Sequence, residues 1–190
     1  MKTAIFIILF AYLFSPVASG QGSTSAEKES TPPNGRPADY ITPPKTERSL
    51  FFIQRNLNKN TIVYDARLKS DGSFEGKPID VYWRRYATTG ERRDLKWLER
   101  SFAYGYNAKK EKNDNSYWIE LTAYDKRKIH LQKTPDGKPV ATMTIGGKYC
   151  QLEYIWVFAD NSGSWPKVKH VDLHGKNMIT GEPVFERILN

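Results

Sequence analysis

His130, His170 and His174 are the only imidazoles in the 190-residue chain. On a strand His170, Asp172 and His174 would share one face, a spacing that resembles a metal-ligand set. Positions four apart on a strand are about 13 Å apart, however, too far to share one ion; only neighbours two apart are close enough. We therefore read the row as the solvated polar face of an outer strand, and expect no metal and no cofactor. Cys150 is the only cysteine. It rules out an internal disulfide framework, a four-cysteine zinc site and an iron–sulfur cluster. Free cysteine is among the most buried residue types, so Cys150 reads as a small hydrophobe rather than a nucleophile. There is no G-x-S-x-G elbow, no H-E-x-x-H and no glycine-rich phosphate loop. Asp65 and Glu120 fall where polar-out alternation would put them. No catalytic residue is assigned.

The basic residues are better localised. Arg84 to Lys112 holds nine basic and four acidic side chains, within a chain of formal charge +8. The candidate ligand-facing residues are Arg84, Arg85, Arg92, Lys96 and Arg100, with Trp83, Trp97 and Tyr104 among them. Arg92, Lys96 and Arg100 are four apart and line up if a helix begins early, although like charges at that spacing repel by a few tenths of a kcal/mol. Such a stripe invites an anionic partner, and the interleaved aromatics suit stacking as well as charge neutralisation. An anionic lipid or an acidic polysaccharide fits a protein outside the cytoplasm; nucleic acid is not expected there. The plain alternative is a solvated helix face with its aromatics turned into the core.

These residues need a scaffold, and the sequence from Ser49 onward describes one. Short runs of aromatic and β-branched residues alternate with turn signals. Strands are expected over 50–55, 61–68, 79–86, 117–124, 128–133, 140–145, 149–159, 167–175 and 183–189. Thr134-Pro135-Asp136-Gly137 and Gly146-Gly147 are the strongest turns. One helix is expected over about 94–104, with Leu95, Leu98 and Phe102 on its buried face. Asp94, or Thr88 with Glu91, would cap its start, and Gly105 would stop it in a left-handed conformation. In the longest strand Cys150, Leu152, Tyr154, Trp156 and Phe158 should share one face. The expectation is a mainly β domain over 49–190: a single antiparallel β-barrel or sandwich of about nine strands with one α-helix.

Ahead of the domain, Lys2 precedes an unbroken apolar run of eleven residues, Ala4 to Phe14, followed by Ser15-Pro16 and small residues to Gly20. That is the pattern of a secretory signal peptide over 1–20, cleaved after Ser19 or Gly20. The run is shorter than the roughly 20 residues of a spanning helix, so no transmembrane segment is expected after cleavage. Residues 21–48 carry five prolines among Ser, Thr, Gly and charge, and read as a disordered Pro-rich tail.

Four strings, FFIQRNLNKNTIVYDARL, VYWRRY, LERSFAYGY and HGKNMITGEPVFERI, resemble an exported bacterial domain family of unknown function, the one numbered forty-eight thirty-three. The resemblance covers about Arg48 to Leu189. It implies an extracytoplasmic single domain and supplies no ligand and no catalytic residue. The sequence thus points to an exported protein, periplasmic or extracellular. It reads best as a non-enzymatic binding module for anionic lipid or polysaccharide. The alternatives are a hydrolase-type enzyme acting on envelope polymers and a structural subunit of an envelope assembly.

Overall fold

Turn chemistry cuts the chain into strands much as expected. The computed structural model describes residues 35–112, 115–163 and 166–190. Residues 1–34, on which the expected signal peptide and the first part of the expected tail fall, lie outside them. The described residues form eleven strands: β1 (Ser49–Arg55), β2 (Asn58–Leu68), β3 (Phe74–Arg84), β4 (Arg92–Asp94), β5 (Tyr106–Lys110), β6 (Tyr117–Leu121), β7 (Tyr124–Lys133), β8 (Pro139–Ile145), β9 (Lys148–Asp160), β10 (Lys167–Asn177) and β11 (Pro183–Leu189). Gly146 and Gly147 both adopt positive φ, 55° and 76°, as a two-residue hairpin between β8 and β9 requires. Two strands beyond the expected nine, β4 and β5, flank the helix in the stretch where helical spacing dominated the reading.

A curled sheet forms a half-barrel with strand order β4-β3-β2-β1-β9-β8-β7-β6-β5. All of its ladders are antiparallel except β1 with β9, which is parallel and joins Phe52 to Tyr154 and Arg55 to Val157. β9 is the hub. Along one edge it pairs with β10 over nearly its whole length. Along the other, residues 148–151 pair with β8 and residues 154–157 with β1. The two wings, β1–β4 and β5–β8, diverge between those segments and enclose the core. That core is built from Ile62, Tyr64, Val81, Trp83, Ile119, Leu131, Ile145 and Leu152, among others. Tyrosine hydroxyls join the wings where no ladder does. Tyr106 on β5 donates to the carbonyl of Ile79 on β3 at 2.8 Å and accepts from its N–H at 3.0 Å.

The face assignment of β9 needs correction. His174 pairs with Tyr154 while Gly175 pairs with Leu152, so Glu153 is an extra residue, a β-bulge. One inserted residue flips every later side chain to the opposite face. Cys150 and Leu152 point into the core, and so do Ile155 and Val157; Tyr154, Trp156 and Phe158 face outward. Cys150 is fully buried, as read from sequence, and burial pushes its thiol pKa up.

The tail also differs from expectation. Residues 35–48 lie along the outer face of the central strands rather than free of it. The Tyr40 ring packs edge-on to Trp156 at 4.9 Å. Gln54 on β1 donates from Nε2 to the Ile41 carbonyl and to Thr61 Oγ1, both at 2.7 Å. Arg36 lies over the rings of Phe52 and Tyr154. Composition missed this because the burial is supplied by the bulge-flipped aromatics of β9, not by the segment itself.

The helix is shorter than expected and starts later. One α-turn, α1 (Trp97–Glu99), runs into a π-turn, Arg100–Tyr104. Neither Asp94 nor Thr88 caps it; Lys96 is the N-cap, and its N–H donates to Glu99 Oε2 at 2.7 Å. Gly105 ends it in an extended conformation, φ −72°, not a left-handed one. Glycine is needed there because a Cβ would sit 2.0 Å from the Arg100 carbonyl oxygen.

Candidate functional site

The segment between β4 and β5 is pinned at both ends by apolar burial, Leu95 at the start and Tyr104 at the finish. Tyr104 packs on Trp83 at 5.1 Å, and its backbone carbonyl accepts from the Tyr64 hydroxyl at 2.8 Å. Its own hydroxyl meets Arg55, and burial raises its pKa to about 12. Glu99 is tucked beneath the turn, accepting from Arg93 at 2.6 Å. What remains outside is a ridge.

Trp97, Leu98 and Phe102 stand on that ridge, 72%, 46% and 55% exposed. The Trp97 and Phe102 rings meet edge to face at 6.1 Å. The expected buried row of Leu95, Leu98 and Phe102 therefore does not exist. Leu95 precedes the helix, and the wider π-turn swings Phe102 away from it. Isolated exposed hydrophobics are ordinary, but three within six residues form a patch of the kind that marks an interaction surface. Lys96 and Arg100 flank the patch, exposed, and among the described residues neither makes an ion pair.

Of the eight residues picked from sequence, Lys96, Trp97 and Arg100 come together on this ridge. Trp83 and Tyr104 are buried in the core below it. Arg84 and Arg85 sit at the β3–β4 turn, where the Arg85 backbone N–H and carbonyl hold residues 88–91. Arg92 lies on β4, not on the helix. It pairs with Asp80 at 2.9 Å and Asp94 at 3.2 Å, and its guanidinium carbon is 4.0 Å from the centroid of the Tyr82 ring. The stripe Arg92, Lys96, Arg100 is thus not a stripe: a strand, a cap and a helical turn carry one residue each, and Arg92 serves the sheet.

The second concentration of chemistry is on the outer face of β1, β9, β10 and β11, beneath residues 35–41. The row Phe52, Tyr154, His174 and Phe185 is a cross-strand ring stack, with centroid distances of 5.3, 4.1 and 5.0 Å. Beside it Asp172 is fully buried, and Arg187 grips it with two hydrogen bonds of 2.8 Å. His170 stacks on Phe158, with Nε2 3.7 Å from Asp172 Oδ2. Burial lowers the pKa of both His170 and His174. His170, Asp172 and His174 do share a face, as expected from period two, but that face is covered rather than solvated. Sequence spacing could show the shared face; nothing local could show the cover. Among the described residues no three His, Cys, Asp or Glu side chains converge where a metal ion could bind, and no helix is long and apolar enough to cross a membrane.

A family model described as Domain of unknown function (DUF4833) matches residues 51–187. No curated protein and no solved structure matches the chain.

Proposed function

Because the chain belongs to the DUF4833 domain family, whose description assigns no activity, we propose its function from its own surface: it is an exported, non-enzymatic module that docks on anionic lipid. The carrying observation is the ridge, where Trp97, Leu98 and Phe102 stand exposed side by side. An apolar patch flanked by exposed cations suits the boundary between headgroups and acyl chains. Trp is favoured at that depth because its ring is apolar and its N–H stays hydrated. Lys96 and Arg100 supply the attraction to acidic headgroups. The apolar run and small-residue cut site before residue 21 support export.

Co-sedimentation with vesicles tests the reading. The protein should bind vesicles containing phosphatidylglycerol and ignore purely phosphatidylcholine ones at moderate salt. Replacing Lys96 and Arg100 with Gln removes about 1 kcal/mol each near such a surface, about 30-fold in affinity together. Trp97→Ala with Phe102→Ala should lower affinity at least as much. Unchanged binding by both variants would sink the proposal. So would ridge-dependent binding to an acidic polysaccharide with none to vesicles.

A further inference from the structure

Where β1 and β8 part from β9, at Leu152 and Glu153, the sheet opens. A cleft of about 510 Å³ lies there, walled on one side by residues 42–47. That volume is in the range of small-molecule sites, roughly 300–1,000 Å³. Its floor is apolar and buried: Phe52, Val63, Val140 and Leu152. Two lysines on its rim are already neutralised, Lys45 by Glu153 at 3.4 Å and Lys138 by Asp136 at 3.1 Å.

Arg36 is different. It lines the cleft half-buried, with its guanidinium carbon 5.6 and 5.4 Å from the ring centroids of Phe52 and Tyr154. Nη2 donates to the Tyr40 carbonyl and, at 2.9 Å, to Thr42 Oγ1. Both acceptors are neutral, as is the Tyr154 hydroxyl that the guanidinium also meets. Among the described residues no carboxylate lies within ion-pairing distance of this guanidinium, and its Nε is buried without a hydrogen-bond partner. Burial lowers the Arg36 pKa, but a guanidinium remains charged in proteins. A buried cation is normally matched by an anion, and a guanidinium edge matches a carboxylate in shape as well as charge.

We infer that this cleft is a binding site for a single-chain carboxylic acid, with its carboxylate on Arg36 Nη1, the guanidinium nitrogen that Tyr40 and Thr42 leave open, and its apolar chain over Phe52, Val63, Val140 and Leu152. The site is independent of the ridge, and its occupant is a monomeric amphiphile rather than a membrane surface.

Isothermal titration of the full chain with sodium decanoate, below its micelle concentration, tests the assignment. One equivalent should bind saturably, and decan-1-ol should bind at least tenfold more weakly. Arg36→Gln should weaken decanoate roughly tenfold to a hundredfold, the range for one charge-assisted contact, while decan-1-ol is unaffected. Val140→Trp, which fills the cleft from the opposite wing, should abolish both; it also carries the test should Arg36→Gln fail to give a native near-ultraviolet circular dichroism spectrum. The proposal is overturned if decanoate shows no saturable binding, if the alcohol binds as tightly as the acid, or if Val140→Trp binds like the parent. Decyl phosphate binding tenfold tighter than decanoate would move the head group to a phosphate and overturn the carboxylate assignment.

Discussion

Asp172 and Arg187 make the most demanding test of the packing. Asp172 is fully buried between Trp156 and Arg187 in adjacent strands, and both its oxygens accept from the one guanidinium at 2.8 Å. The next cationic candidate, His170, stands 3.7 Å away, and burial disfavours its charged form. Arg187→Met keeps the unbranched apolar stem and removes the guanidinium, leaving a carboxylate stranded. Breaking a buried pair this way costs about 3–5 kcal/mol. The Arg187 side chain is 36% exposed, so water will replace part of what is lost, and the lower end applies: about 3 kcal/mol, or roughly 6–12 °C in Tm for a protein of this size. Urea denaturation at pH 7.5 should show a lower midpoint with an unchanged slope. The double variant Asp172→Leu, Arg187→Met removes both charges and should recover to within about 1 kcal/mol of the parent. A loss under 1 kcal/mol for Arg187→Met, or a double variant less stable than both singles, would refute the claim that this pair is an electrostatic lock.

Three further outcomes follow from the same face. Tyr40→Ala removes the ring that covers Trp156 and should cost about 2–3 kcal/mol, from lost apolar area plus the edge-to-face pair; a change below 0.5 kcal/mol in urea would mean that residues 35–41 do not hold the sheet. His170 and His174 have folded pKa values below their unfolded ones, so the unfolded chain binds more protons, and stability complete above about pH 6.5 should fall as pH drops toward 5. His170→Gln with His174→Gln should flatten that slope, and an equally steep slope in the double variant would assign it to other groups. A Cβ at Gly175 would lie 2.4 Å from the Gln151 carbonyl oxygen, so Gly175→Ala should cost about 1–3 kcal/mol by overpacking the bulge, and a melting temperature equal to the parent's would show that the bulge relaxes freely.

Local chemistry was legible and distant pairing was not. Gly146-Gly147 and Asp136-Gly137 mark hairpins whose strands lie where period-two patterning placed them, because a turn and its flanking strands are set by neighbours in sequence. The Glu153 bulge depends on the register with β10 and left no local trace, so alternation carried Tyr154, Trp156 and Phe158 to the wrong side. The ridge misled for the opposite reason. Leu95, Leu98 and Phe102 have true helical spacing, but a helix that begins at Trp97 and widens to a π-turn does not honour it. In the basic stretch, charge density was visible in the sequence. Whether each charge is spent internally, as Arg92 is on Asp80 and Asp94, or has no ion-pair partner among the described residues, as with Lys96 and Arg100, required the strands around it.

The parallel union of β1 with β9 sets the order in which the chain can fold. Asn56 extends that union past the end of β1: its side-chain amide donates to the Ala159 carbonyl and accepts from the Ala159 N–H, both at 2.8 Å, across 103 residues of sequence. Every other ladder among the described residues joins strands consecutive in the chain, and a hairpin can close within microseconds. The β1–β9 ladder must wait for the largest loop in the molecule to close, and such non-local contacts slow folding. The β1–β4 wing and the run of hairpins from β5 through the hub β9 to β11 can each assemble early, with docking of one on the other as the last barrier. Until that step the edges of β1 and β9 are bare, and bare edges template intermolecular pairing. The yield of native protein on refolding should therefore fall with chain concentration, because the competing reaction is second order and the closing step is first order.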